Sequence, residues 1–190
     1  MAKHGLIKKM GAGRAKYDIF ENTRDLKKLT VNLPEYGEVY KYISFSGGFA
    51  SINFIKLVAD NEPIIELMAS TLRIGEKQFE YMARTHAAGR IKSATFFIGS
   101  LMREDENKHN AKYDYYRKFV KTCERTGWRY FIVNNHSKII LMRTKNNYYV
   151  LETSSNLNEN PKIEQYSFEN NIELYDFYYA FFKALAEKAR

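Results

Sequence analysis

Apolar and polar positions alternate along this chain with a period that switches several times. Glu38 to Phe45 is rich in Val, Tyr and Ile and predicts a strand. Ser46-Gly47-Gly48 follows as a tight turn, and Phe49, Ile52, Ile55 and Val58 then recur at helical spacing up to Ala59. Pro63 to Thr71 predicts the next strand. Gly75 to Ala88 predicts a helix with Phe79, Met82 and Ala83 turned inward and Gly89 as its stop. Ile91 to Ile98 is a further strand, and the polar run 101–109 predicts a loop. A helix over Ala111–Thr126 has Tyr115, Phe119 and Cys123 on one face, and Trp128 to Val133 is another strand. Two apolar runs, Ile139–Met142 and Tyr148–Leu151, flank a polar stretch centred near residue 146 and read as a hairpin. Residues 157–168 predict a loop. Asn170 to Ala189 predicts a long helix with Tyr175, Tyr178, Tyr179, Phe182 and Leu185 on a broad apolar stripe.

Strands that alternate with helices imply an α/β fold, an α-β-α sandwich whose mixed sheet is mostly parallel. The run Ile139-Ile140-Leu141-Met142 is apolar at both parities, which marks a strand covered on both faces. The expected division is a basic N-terminal extension over 1–37, packed on or trailing from a domain over 38–190. The extension carries Lys3, Lys8, Lys9, Arg14 and Lys16, with no acid before Asp18. It reads as a solvated tail or peripheral strand; the sharper alternative is an arm that tracks phosphates.

The hairpin carries the candidate chemistry. Antiparallel pairing about residue 146 sets His136 and Lys138 roughly opposite Asn156 and Ser154. Side chains two apart share a face, so an imidazole, an ammonium, a hydroxyl and an amide come together. Three donors around one nucleophile suit a phosphate group. Composition points the same way: Lys and Arg outnumber Asp and Glu by 30 to 22, a net charge of +8 that favours anionic partners. The 15 Tyr and 13 Phe read first as packing rather than base stacking. The single cysteine, Cys123, excludes an intrachain disulfide and reads as a buried structural thiol. Scattered His4, His86, His109 and His136 offer no zinc spacing, so neither a metal nor another cofactor is expected. No apolar run approaches the length of a membrane span and no signal-type core is present. A cytoplasmic protein without a membrane partner is expected.

His136-Ser137-Lys138 followed by Thr153-Ser154-Ser155-Asn156 resembles the HxK…GSxN signature of the phospholipase D superfamily. The continuation SSNLNENPKIEQ resembles members encoded by bacteriophages and mobile elements. The resemblance covers 38–190. There are three departures from the pattern. The gap between the halves is longer, Arg143 stands where the family has Asp, and Thr153 stands where it has Gly.

The resemblance implies a metal-independent phosphodiesterase in which one histidine attacks phosphorus and a second protonates the leaving oxygen. This chain has one such motif, so a homodimer would supply the second His136. Lys138, Ser154 and Asn156 would hold the non-bridging oxygens. A carboxylate downstream orients the histidine in the family; Glu164 fits that place best, with Glu152 as the alternative. The expected activity is a nuclease acting on DNA or RNA. The alternative is a protein with the same fold that grips nucleic-acid phosphates without cleaving them, motivated by Arg143, Thr153 and the basic N-terminus. A weaker third reading is a lipid or small-molecule phosphodiesterase.

Overall fold

The computed structural model describes residues 6–10, 13–20, 32–44, 50–108, 114–158 and 162–189. The turn expected at Ser46-Gly47-Gly48, Phe49, His4 and His109 lie outside these residues. Among the described residues nine strands form one sheet: β1 (Leu6–Met10), β2 (Gly13–Phe20), β3 (Glu38–Ser44), β4 (Glu66–Thr71), β5 (Ala94–Gly99), β6 (Arg129–Val133), β7 (Ile139–Arg143), β8 (Tyr148–Thr153) and β9 (Glu164–Asn170). The helices are α1 (Ile52–Asn61), α2 (Glu76–Ala87), α3 (Leu101–Lys108), α4 (Tyr115–Thr126) and α5 (Ile172–Lys188). Across the sheet the strands run β1-β2-β3-β9-β8-β7-β4-β5-β6.

The sheet is mixed and layered by helices on both faces, as the alternation of elements predicts. The balance of directions shifts. Among the described residues three ladders are parallel (β2–β3, β4–β5, β5–β6) and five antiparallel (β1–β2, β3–β9, β4–β7, β7–β8, β8–β9). One misread segment and the N-terminal extension, which forms peripheral strands, account for this. Residues expected as part of a loop form β9, a strand inserted between β3 and β8. Its alternation is hidden because polar Glu164, Ser167 and Asn170 are buried along with Tyr166 and Phe168. Residues before 38 supply β1 and β2, which extend the edge of the sheet beside β3. The polar run after Gly99 is also helical over part of its length, as α3.

Parity divides the core. Ile140 and Met142 face a large cluster under α1, α2 and α4, with Phe54, Phe79, Phe96 and Phe119 at its centre. Leu141 faces the second cluster with Met68, Phe97 and Val150, under Tyr175 and Phe182 of α5. The Phe97 and Phe182 rings stack 4.9 Å apart, and Phe54 lies 5.1 Å from Phe168. Of the expected inward positions on α4, Phe119 and Cys123 are buried, whereas Tyr115 is 41% exposed. Thr122, adjacent to Cys123, takes the third buried place. Gly127 ends that helix with φ of 70°, a conformation that glycine adopts without steric cost.

The far end of the hairpin is pinned. Tyr149 Oη and Asn147 Nδ2 both donate to Glu62 Oε1 at 2.9 Å, at the end of α1. Burial and the Glu62 carboxylate together push the Tyr149 phenol far above its ordinary range. Asn170 Oδ1 accepts from Tyr148 N at 3.1 Å, and its amide donates to Asn147 Oδ1 at 2.8 Å.

Two outcomes follow from this packing. Glu62→Ala leaves the buried Tyr149 hydroxyl without its acceptor, so chemical denaturation should show a loss of about 1–3 kcal/mol. Burial pushes the Cys123 thiol up to about 12, and only the thiolate is nucleophilic. Cys123 should therefore resist Ellman's reagent in native buffer and react fully in denaturant; prompt labelling of the native protein would contradict its buried place.

Candidate active site

The parallel strands β4, β5 and β6 end at one edge of the sheet, at Thr71, Gly99 and Val133, and the antiparallel pairs bring the start of β7, the end of β8 and the start of β9 to that same edge. Ligands of open α/β sheets bind outside the carboxyl ends of such strands. His136, Lys138, Ser154, Asn156 and Glu164 all lie at or just beyond this edge.

The register is one step from the expected one. Ile139 pairs with Glu152 and Arg143 with Tyr148. Thr144 N donates to Asn147 O at 3.0 Å and closes the turn, so its tip is Lys145-Asn146. The step sets Lys138 across from Thr153, whose N–H donates to Lys138 O at 3.1 Å. Ser154 reaches the site because the chain leaves the strand there. Its backbone N–H donates to Gln165 O at 3.1 Å, and its Oγ accepts from Gln165 N at 3.0 Å and donates to Glu164 Oε2.

Each site side chain is held by a neighbour. Lys138 Nζ lies 3.0 Å from His136 Nδ1 and 2.7 Å from His136 O. With the ammonium as donor, Nδ1 is the acceptor and the ring proton sits on Nε2. Burial draws the Lys138 ammonium below its ordinary pKa, and the Glu164 carboxylate pushes it back up. Glu164 itself is 5% exposed. Asn156 Oδ1 accepts from Leu72 N at 3.2 Å and from Thr71 Oγ1 at 3.3 Å, at the end of β4. With its oxygen so committed, Asn156 presents an Nδ2 donor pair with no partner among the described residues.

Glu152, the alternative carboxylate, does not share this place. It accepts from Tyr178 Oη and so faces α5, on the side of the sheet occupied by Ile139 and Leu141. The one-step register explains it, since an odd shift exchanges the two faces.

The departures at Arg143 and Thr153 separate in space. Arg143 is at the opposite end of β7 from Lys138, roughly 16 Å along the strand. There it pairs with Glu66 at 3.4 Å, its partner across the ladder. Thr153 is inside the site turn. Its hydroxyl donates to Gln165 O at 2.8 Å and accepts from Ser155 N at 2.9 Å, so it clamps the turn with its own side chain.

Three supporting residues escaped the sequence reading. Asn135 Oδ1 accepts from Ser137 N at 2.8 Å and Ser137 Oγ at 2.7 Å, while its Nδ2 donates to Ser70 Oγ at 2.8 Å and Phe97 O at 3.1 Å. This Asx turn sets the bend that carries His136; an Asn two residues before a free N–H is its local signal. Ser70 Oγ also meets Ser137 Oγ at 2.6 Å. Gly99 permits the close approach, since a Cβ there would lie 2.9 Å from Leu72 O and 3.0 Å from Asn135 O. Nothing local in the sequence marks Ser70 or Gly99. Among the described residues, no group of three or more His, Cys, Asp or Glu is arranged to hold a metal ion.

No family model matches the chain, and no curated protein matches it in sequence. Solved structures do. Nuc of Salmonella typhimurium, a phospholipase D family member, superposes with a TM-score of 0.54 at 12% identity, over 80% of this chain and 97% of Nuc. The polyphosphate kinase of Porphyromonas gingivalis superposes with a TM-score of 0.53 at 15% identity, over 72% of this chain and 24% of the kinase. Identities this low speak for architecture alone. Joined to the strand order and the two-faced core, they establish that the chain has the phospholipase D-like fold.

Proposed function

We propose that this protein is a phosphodiesterase that acts on nucleic acid through a histidine nucleophile, at a site completed by a second subunit. The observation that carries the reading is the gathering of His136, Lys138, Ser154, Asn156 and Glu164 at one edge of the sheet, with the oxygen of Asn156 already engaged. An amide anchored by its oxygen offers two N–H donors and no competing acceptor, which suits an anion. Lys138 adds a mobile point charge. The ammonium now on His136 Nδ1 would move to a non-bridging oxygen when a phosphate arrives, and it would free a lone pair on the ring.

A balanced sequence then needs two histidines. One His136 attacks phosphorus, a P–N bond forms and the bond to the leaving oxygen breaks. The second His136, protonated, gives its proton to that oxygen. Water next attacks the phosphohistidine, loses a proton to the second histidine, and the P–N bond breaks. Glu164 supports the site from below, as the acceptor of the Ser154 hydroxyl and the counter-charge to Lys138. The net charge of +8 and the resemblance favour DNA or RNA over lipid.

A second reading, nucleic-acid binding without turnover, keeps one specific support. The branched Thr153 side chain fills the turn beside Ser154, where the family pattern has glycine. Arg143 no longer supports it, because its ion pair with Glu66 sits at the other end of the strand.

The two readings separate in one assay. The protein is incubated in EDTA with single- and double-stranded DNA and RNA, beside His136→Ala. Cleavage that the substitution lowers by about 10³-fold or more is expected. Binding by both proteins with cleavage by neither would leave the binding reading in its place. Asn156→Asp keeps the acceptor for Leu72 N and loses the donors. It should lower kcat by about 10²–10³-fold, the loss typical of one oxyanion donor, with an unchanged melting temperature. An equal fall in melting temperature would mean that Asn156 is structural only.

A further inference from the structure

Helix α5 covers only part of its face of the sheet. It crosses from Tyr148 on β8, which meets Tyr175, to Phe97 on β5, which stacks on Phe182. The same face continues past β8 over β9 and β3. The ladders settle which side chains stand there. Ser167 pairs with both Glu152 and Lys41, and Gln165 pairs with Ile43. Glu152 faces α5, so Ser167, Lys41, Gln165 and Ile43 share its face. Their neighbours Tyr42, Tyr166 and Phe168 turn the other way, into the larger core. Lys41, Ile43 and Gln165 are exposed.

One flank of α5 walls this floor. Leu174, Tyr178, Phe181 and Leu185 recur at spacings that place them on one side of the helix. Tyr178 donates to Glu152, which turns that side toward β9 and β3. Leu174, Tyr178 and Leu185 are partly buried at the foot of the wall. Phe181 stands above them at 53% exposure, with Phe177 beside it at 67%. Neither ring is needed to dock α5, because Tyr175 and Phe182 are buried for that purpose. Lys188 is exposed on the same line of the helix, toward the edge that carries the site.

The corner so formed opens at the candidate site. Gln165 N donates to Ser154 Oγ, and Gln165 O accepts from Ser154 N. Its charge suits an anion. The two carboxylates that β8 and β9 place on the floor are engaged, Glu152 by Tyr178 and Glu169 by Asn171 Nδ2 at 3.1 Å. Lys41 Nζ donates to a neutral acceptor, Ser167 Oγ, at 2.6 Å, which leaves the ammonium its full charge.

We propose that this corner is a track for a single-stranded nucleic acid as it leaves the site, with bases stacked on Phe181 and Phe177 and a phosphate on Lys41. Aromatic rings beside a basic groove hold single strands with little regard to sequence, because every base has a π-face. A duplex keeps its bases stacked on one another and offers these rings nothing. The path from Ser154 to Lys41 is one step across a strand pair and one diagonal, roughly 12 Å, which a few nucleotides span. The track lies on a face of the sheet and the site at its edge, so a second subunit at the edge leaves the track open. It names the substrate of the phosphodiesterase reading above and rests on that reading for the chemistry; binding is measured separately from cleavage.

The test is fluorescence anisotropy in EDTA, with labelled oligothymidylate of about 20 nucleotides and a mixed-sequence duplex of the same length. Both are titrated with His136→Ala, so that no probe is consumed. The single strand should bind more tightly than the duplex. Adding Phe181→Ala should weaken the single strand by about five-fold or more, with the duplex and the melting temperature unchanged. Phe181→Trp should retain the affinity. Lys41→Gln should flatten the slope of log affinity against log salt by about 0.7, the mark of one phosphate contact on a single strand. With His136 intact, Phe181→Ala and the parent should hydrolyse bis(p-nitrophenyl) phosphate alike, since that diester is too short to reach the track. No binding of the single strand, indifference to Phe181→Ala or to Lys41→Gln, or an equal loss on the duplex overturns the proposal; hydrolysis of the small diester would then keep the catalytic reading alive. Binding to vesicles of phosphatidylglycerol that Phe181→Ala abolishes, with oligothymidylate unaffected, would also overturn it and assign the rings to a membrane surface. The expected losses of binding in a protein that cleaves nothing would leave the track standing and remove the catalytic reading alone.

Discussion

A strand slipped by one residue turns every side chain to the opposite face. The β7–β8 hairpin is buried on both faces, so a slip there would exchange the two halves of the core as well as the site. The structure prevents it from the end away from the site. Glu62 takes hydrogen bonds from Tyr149 and Asn147, Asn170 ties the backbone of Tyr148, and Arg143 pairs across to Glu66. These contacts make no reference to a ligand. They decide which residues emerge at the other end, and they decide that Glu152 faces α5 and that Glu164 does not.

At the site end the polar groups are consumed selectively. Asn135 and Ser70 use their side chains to shape the bend before His136. Thr153 spends its hydroxyl on the turn before Ser154. Asn156 spends its oxygen on the end of β4 and keeps its donors. The result is an edge rich in positioned donors, with one buried carboxylate behind them. Buried polar groups are costly unless paired. That cost explains why the supporting residues pair with one another and, among the described residues, leave the Lys138–His136 pair and the Asn156 amide nitrogen at the edge.

The two faces of the sheet carry different tasks. One is closed by α1 to α4 over the larger core. The other is closed by α5, which buries Tyr175 and Phe182 and exposes Phe177 and Phe181. The link from Tyr178 to Glu152 joins the second face to the hairpin. A contact made by α5 would therefore bear directly on the turn that holds Ser154.

The hydrophobic pattern was enough to locate β3 to β8, four helices and the layered α/β architecture, because long apolar runs and helical periods report burial directly. The residue types of the candidate site were also legible, since His136, Lys138, Ser154, Asn156 and Glu164 lie in two short segments. Register was not. Whether the hairpin is centred on Asn146 or between Lys145 and Asn146 is a difference of half a residue, set by the hydrogen bond between Thr144 and Asn147. Nor was β9, whose buried Glu164, Ser167 and Asn170 find their partners on β3, β8 and the loops beside them. Sequence records which side chains avoid water. Which polar side chains are allowed to join them depends on partners that only the folded chain brings within reach.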